Sequence, residues 1–241
     1  MFSGKRSPQR VKTRRQRTLR VILESLETRR APAVFSGVMD ETALRQDIAA
    51  ADSNSSPANV IELSSSIVLG DAADGSLLIQ NLTSSPKTLT IEAQGQGSVA
   101  IQGSVGWSSR IFEIVGTGPA SVTVVFKQVE ITGGRAQDGG ALGGVVALGG
   151  GLLIDGGQVT LSGASVAGNA ATGGVSAAPG GPGADARGGG IYLANGQLTI
   201  RNSQVLHNTV VGGNGHDGQN GAPDSAGGGG GGGGSGAGGG I

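Results

Sequence analysis

Gly149–Gly174 reads GGGLLIDGGQVTLSGASVAGNAATGG, and Gly188–Gly213 reads GGGIYLANGQLTIRNSQVLHNTVVGG. Slid 39 positions, the first stretch lies on the second without a gap. Leu152 falls on Ile191, Ile154 on Leu193, Val159 on Leu198, Leu161 on Ile200 and Val166 on Val205. Asn169 falls on Asn208, and a third copy opens at Gly238-Gly239-Gly240-Ile241. A repeat of this length, rich in β-formers and glycine, predicts a stacked array rather than one closed globule. Because Ile241 is the first core position of that third copy, the chain reads as truncated at its C-terminus.

Working outward from the repeat, short alternating segments precede it. Strands are expected at Val60–Leu63, Ile67–Leu69, Leu77–Ile79, Thr88–Glu92, Val99–Gln102, Ile111–Val115, Ser121–Phe126 and Gln128–Thr132. Turn residues separate them. Such spacing suits a sandwich, a barrel or a solenoid. The exact repeat selects the solenoid, because only there do the same residue types recur at the same phase. Leu198 and Ile200 then point to one face and Thr199 to the other. The expected fold is all-β: a right-handed parallel β-helix with a short capping helix and glycine-rich loops.

The helix is read at Asp40–Asp52, with Asp40 as N-cap and Leu44, Ile48 and Ala51 as its apolar stripe. It is placed to cover the N-terminal mouth, since an unpaired edge invites aggregation. The expected organisation is a basic leader over 1–34, a capping region over 35–57 and the β-helix over 58–241. Glycine-rich insertions fall at 173–190 and 212–240. The run Gly227–Gly234 loses so much backbone entropy on folding that a floppy loop is expected.

Composition narrows the chemistry. Glycine supplies 49 of 241 residues, cysteine none, and Phe, Trp and Tyr together 2%. Thiolate and disulfide chemistry are therefore absent. Net charge is zero, but residues 1–30 hold ten of the seventeen basic residues against two acids. The arm has no apolar run of the roughly 7–15 residues a Sec-type signal needs, nor the roughly 18 of a spanning helix. Leu19, Ile22, Leu23 and Leu26 share one helical face, so a short amphipathic helix is expected there. A cytoplasmic, nucleic-acid-associated role for the arm would be confined to phosphate contacts without specificity.

Leu23–Pro32, LESLETRRAP, resembles the "LExLExRxxP" leader of large secreted or surface proteins of planctomycete-type bacteria. That resemblance implies export, with processing near Ala31–Val34. Glu41–Gly134 resembles the opening of right-handed β-helix proteins of the polymorphic outer-membrane and pectin-lyase-like group. Ala43–Ile48 is similar to its "SLREAI" helix, Val60–Leu63 to its "TIxL" strand, Leu89–Glu92 to "LTIxG" and Arg110–Ile114 to "RvFxI". Gly189-Gly190-Ile191 and Asn208 match its "GG[AILV]" and "FxxN" repeats, although Val166 and Val205 stand where that repeat has Phe. The family's usual Cys before the helix is replaced by Glu41-Thr42.

No catalytic constellation stands out. Glycoside hydrolysis needs two carboxylates across the scissile bond, whereas Asp155 gives way to Ala194 one repeat later. His207 stands where the other repeat has Gly168, and so reads as an exposed side chain. Gly180–Asp185 and Gly212–Asp217 imitate a calcium nonapeptide, but each is a single copy, and calcium needs six to eight oxygen ligands. No cofactor is expected, with calcium the lesser reading. Asn169 and Asn208 are expected to be structural, occupying left-handed turn positions and bonding neighbouring coils. The expected function is non-enzymatic: a secreted or cell-surface, adhesin-like structural protein facing an envelope or extracellular polysaccharide or protein. No specific nucleic acid and no transmembrane segment are expected. The competing reading is a fragment of a carbohydrate-active pectin-lyase-like enzyme whose catalytic coils are missing.

Overall fold

The structure, a computed structural model, describes residues 31–70, 75–95, 97–117, 121–137, 146–220 and 226–241. The leader, apart from its last four residues, lies outside the described residues. The chain opens with β1 (Ala33–Val38), α1 (Glu41–Ser53), β2 (Ala58–Leu63), β3 (Ile67–Leu69), β4 (Leu77–Ile79) and β5 (Lys87–Ala93). There follow β6 (Val99–Gly103), β7 (Phe112–Val115), β8 (Val122–Lys127), β9 (Val129–Thr132), β10 (Arg135–Gln137) and β11 (Ala147–Leu148). The repeat supplies β12 (Leu152–Ser162), β13 (Ser165–Ala167), β14 (Ala170–Thr172) and β15 (Ala186–Arg187), then β16 (Ile191–Arg201), β17 (Gln204–Leu206) and β18 (Thr209–Val211). A two-residue β19 (Gly236–Ala237) comes last.

The fold is all-β with a single helix among the described residues, and the strand pairings there are parallel. The repeat stacks on itself as its sequence requires. Leu152 pairs with Ile191, Val159 with Leu198 and Leu161 with Ile200. The ladder continues backward through Phe126 and Ile91 to Ile61, each in parallel register with the next. A second ladder runs Ile67, Ile101, Ile131, Val166, Val205. Alternation explains both, because every second side chain of a strand faces the same way. The inward set is Val, Ile, Leu and Phe, and the described rungs before the last bury it almost completely. Phe112 and Phe126 meet inside at 4.8 Å, tilted by 57°.

Rungs turn from one sheet to the next at left-handed residues. Gln128, Gly163 and Asn202 occupy one such corner, with φ of 54°, 61° and 48°. Gly133, Gly168 and His207 occupy another, at 69°, 66° and 54°. Asn169 and Asn208 are not left-handed, which corrects the sequence reading. The residue before each of them takes the positive φ, leaving the Asn side chain free to bond across rungs.

The helix forms as expected. Asp40 caps it, its carboxylate accepting from the Ala43 amide at 2.8 Å. It buries Leu44, Ile48 and Ala51 and touches β1, β2, β3 and β4. Of these, β1, β3 and β4 are outer strands of their sheets. Strand β1 was not expected from sequence. Ala33 and Val34, read as the end of the leader, pair with Asn59 and Val60.

Where they are described, the glycine-rich insertions, expected as floppy loops, bond to one another through their backbones. The amides of Gly228, Gly231 and Gly234 donate to the carbonyls of Gln219, His216 and Gly213. The amides of Gly183 and Ala186 donate to Gly232 and Ser235, and those of Gly213 and His216 to Ala184 and Gly181. The bonds recur every third residue, the period of a polyproline II helix rather than of a pleated strand. Backbone entropy opposes order in such a run when its contacts are only local. Here glycine segments distant in sequence hold one another.

Candidate functional site

Three elements of the molecule gather polar side chains. The first is the outer face of the sheet formed by β2, β5, β8, β12 and β16. Register places Ala58, Thr88, Thr123, Gln158 and Gln197 in one row. Val60, Thr90, Val125, Thr160 and Thr199 form the next, and Glu62, Glu92, Lys127, Ser162 and Arg201 the third. These side chains are half-buried or exposed at every rung. Neighbouring rungs lie about 4.8 Å apart, so hydroxyl and amide groups are presented on a regular grid. Lys127 reaches Glu92 across rungs at 2.8 Å, leaving the opposite end of that row to Arg201.

The second element is the asparagine pair. The Asn169 side-chain amide donates to the Ile131 carbonyl at 3.0 Å, and its oxygen accepts from the Gly134 amide at 2.9 Å. The Asn208 oxygen accepts from both the backbone and the side chain of Asn169, each at 3.0 Å. Asn208 in turn donates to the Val166 carbonyl at 2.9 Å. Asn169 is buried, so its bonds are structural, and the two residues join three consecutive rungs.

The third element had no sequence signal. A groove of ≈ 300 Å³ runs between α1 and β4, walled by Ile48, Ala49, Leu77, Leu78 and Leu82. Asp52 lies at its base, buried, with one carboxylate oxygen accepting from the Gln80 amide at 3.1 Å. Burial pushes the Asp52 carboxyl up to about 7, against the opposing pull of the Gln80 bond and of Lys87. Lys87 is also buried. Its ammonium donates to the carbonyls of Ala51 (2.6 Å) and Asn54 (2.5 Å) at the C-terminal end of α1, where cations are favoured. Burial lowers the Lys87 pKa, and Asp52 partly restores it. These residues belong to different rungs and share no local motif.

The two calcium-like segments do come together, through the Gly213–Ala184 and His216–Gly181 bonds. Their carboxylates do not form a ligand set. Asp185 accepts from the Ser235 amide at 2.9 Å and faces Arg187 at 3.4 Å, and the Ser235 bond chiefly holds its carboxyl below the ordinary value. Among the described residues no group of three or more His, Asp or Glu gathers. Asp155 meets Asn195 at 2.7 Å rather than lying opposite Ala194, because the register slips at the glycines beside it. His207 is exposed, as expected, and also left-handed. Deep in the first half of the chain, Arg110 binds Glu113 at 2.5 Å and the Leu148 carbonyl at 3.3 Å. Among the described residues, no helix is long and apolar enough to cross a membrane. The chain matches no family model, no curated protein and no solved structure.

Proposed function

We propose that the chain is a right-handed parallel β-helix of the pectin-lyase-like and polymorphic outer-membrane repeat type. Carried out of the cell by the leader over 1–34, it serves there or on the cell surface as a non-enzymatic, adhesin-like structural protein. The observation that carries this is the five-rung register of the β2–β5–β8–β12–β16 sheet, with apolar rows inside and, outside, two rows rich in Thr and Gln beside one of mostly charged side chains. A stack whose rungs repeat is stiff and can present the same polar groups again and again along one face. Rows of hydroxyls and amides at fixed spacing suit the hydroxyl groups of an envelope or extracellular polysaccharide, or the backbone of a protein surface. Each contact is weak, and repetition supplies the avidity.

The test is immunolabelling of intact cells with an antibody to the Thr88–Lys127 face, followed by pull-down of purified chain on isolated cell envelopes. Labelling of unpermeabilised cells and retention on envelopes support the reading. Signal only after lysis sinks export. Release of new reducing or unsaturated ends from acidic polysaccharides sinks the non-enzymatic role.

A further inference from the structure

We propose that the groove between α1 and β4 is the seat of the chain's own basic arm, occupied by the amphipathic segment Leu19–Leu26. Three observations lead there. The first is position. The arm joins the body at β1, where Ala33 pairs with Asn59. Asn59 is bonded to Asn54 at 2.7 Å, and Asn54 follows directly on the end of α1 that carries Asp52. The arm therefore enters beside the end of the groove. The seven Cα-to-Cα steps from Leu26 to Ala33 span at most about 24 Å when extended, longer than α1 itself at about 20 Å.

The second is shape. Leu78 is 41% exposed and Leu82 63%, and both line the groove. These are large apolar side chains that the described body leaves partly uncovered. The arm offers Leu19, Ile22, Leu23 and Leu26 at the spacing of one helical face.

The third is charge. The helix that forms one wall carries Asp40 and Asp47 besides the Glu41 that pairs with Arg45 and the buried Asp52 that faces Lys87. Arg14, Arg15, Arg17 and Arg20 lead into and run through the arm's apolar segment. The arm as a whole holds ten basic residues and two acids, while residues 31–241 hold seven and fifteen. Charge brings the arm to the helix, and the leucines fix it in the groove. The contact needs only that arm and body share one chain, so it stands whether or not the chain is exported. If the arm is removed on export, the groove opens in the mature protein.

Because the chain has no cysteine, the contact can be trapped directly. In full-length L23C/L82C, mild oxidation should give an intramolecular disulfide at least about tenfold faster than in L23C/V175C, whose second cysteine sits in the glycine-rich region. That ratio reflects a millimolar effective concentration at the groove. Salt near 1 M, where the Debye length is about 3 Å, should slow it. Equal rates in the two variants overturn the proposal, as do disulfides that form only between molecules. Without any substitution, the amide resonances of Leu78, Gln80 and Leu82 should shift between the full chain and a chain beginning at Ala31. Unshifted resonances overturn it as well.

Discussion

Two regions of this molecule stack by opposite means. Across β5, β8, β12 and β16 a side-chain stack is added to the backbone pairing: Ile91, Phe126, Leu161 and Ile200 lie one above another. Across 173–187, 212–219 and 228–236 the segments are held chiefly by backbone, with the Asp185 carboxylate on the Ser235 amide a side-chain exception. There, a Cβ on Gly213 would lie 2.0 Å from the Gly174 carbonyl oxygen, and one on Gly231 would lie 1.9 Å from that of Gly181. The first region derives its stability from apolar area removed from water. The second buries almost no side chain and depends on close approach and hydrogen bonds. The ladder should therefore tolerate changes of apolar shape but not loss of volume. The glycine region should tolerate no Cβ where segments touch and almost any where they do not.

The largest effect is expected in the ladder. Phe126→Ala removes a fully buried ring that packs on Phe112 and sits between Ile91 and Leu161. A loss of about 3–5 kcal/mol is expected, measured as a lower urea midpoint at unchanged slope. Phe126→Leu should recover most of it. If both substitutions cost the same, side-chain volume is not what holds the ladder.

The glycine region is tested by position rather than by size. Gly213→Ala should cost about 1–3 kcal/mol, because backbone must shift to admit the methyl group. Gly232→Ala, with nothing within 4 Å of its Cβ, should stay within about 0.5 kcal/mol. Thermal melts of the two single variants decide this. Equal melting points would return the insertion to the floppy loop its composition suggested.

How far each region was legible in sequence follows from the same contrast. The ladder was legible because alternation writes its inward face into the chain: Leu89-Thr90-Ile91 already tells which side chains turn in. Thus Ile67–Leu69 and Leu77–Ile79 form as read, and the other early strands shift by a residue or two at their ends. The glycine packing was not legible. Its three-residue period is plain in Gly212, Gly215 and Gly218, but the unbroken run Gly227–Gly234 hides it. A residue without a side chain also gives no sign of which neighbour it faces. Strand β1 was missed because AVFSGV follows the basic arm and has no partner nearby in sequence. The Asp52–Lys87 pair was missed because nothing local links a helix end to a strand 35 residues on. The repeat shows Asn169 and Asn208 as binders of neighbouring rungs, but not that the left-handed positions fall on Gly168 and His207 before them.

Asn169 stands at the seam between the two modes, since it ties the Ile131 rung to the glycine turn at Gly134. Asn169→Ala strips bonds from a buried site and leaves the Gly134 amide without its acceptor. A loss of about 1–3 kcal/mol is expected. Hydrogen exchange at the Gly134 amide should rise in step. Faster exchange there with no change in global stability would show the seam to be independent of both regions.

The smallest effect tests whether the corners follow the ladder or the glycines. Gly168 and His207 are equivalent corner residues, both left-handed, yet only one is glycine. An L-residue with a Cβ is strained there by roughly 1–2 kcal/mol. The His207 side chain is exposed, so removing it forfeits little burial. His207→Gly should therefore stabilise the chain by about 0.5–1 kcal/mol, the gain being reduced because glycine also loosens the unfolded state. The reverse change, Gly168→His, places a Cβ 3.2 Å from the Thr132 hydroxyl and adds the same strain, so it should destabilise. Urea midpoints of opposite sign in the two variants mean that corner geometry, not side-chain identity, is repeated from rung to rung. Midpoints of the same sign mean that the imidazole holds a contact specific to its own rung.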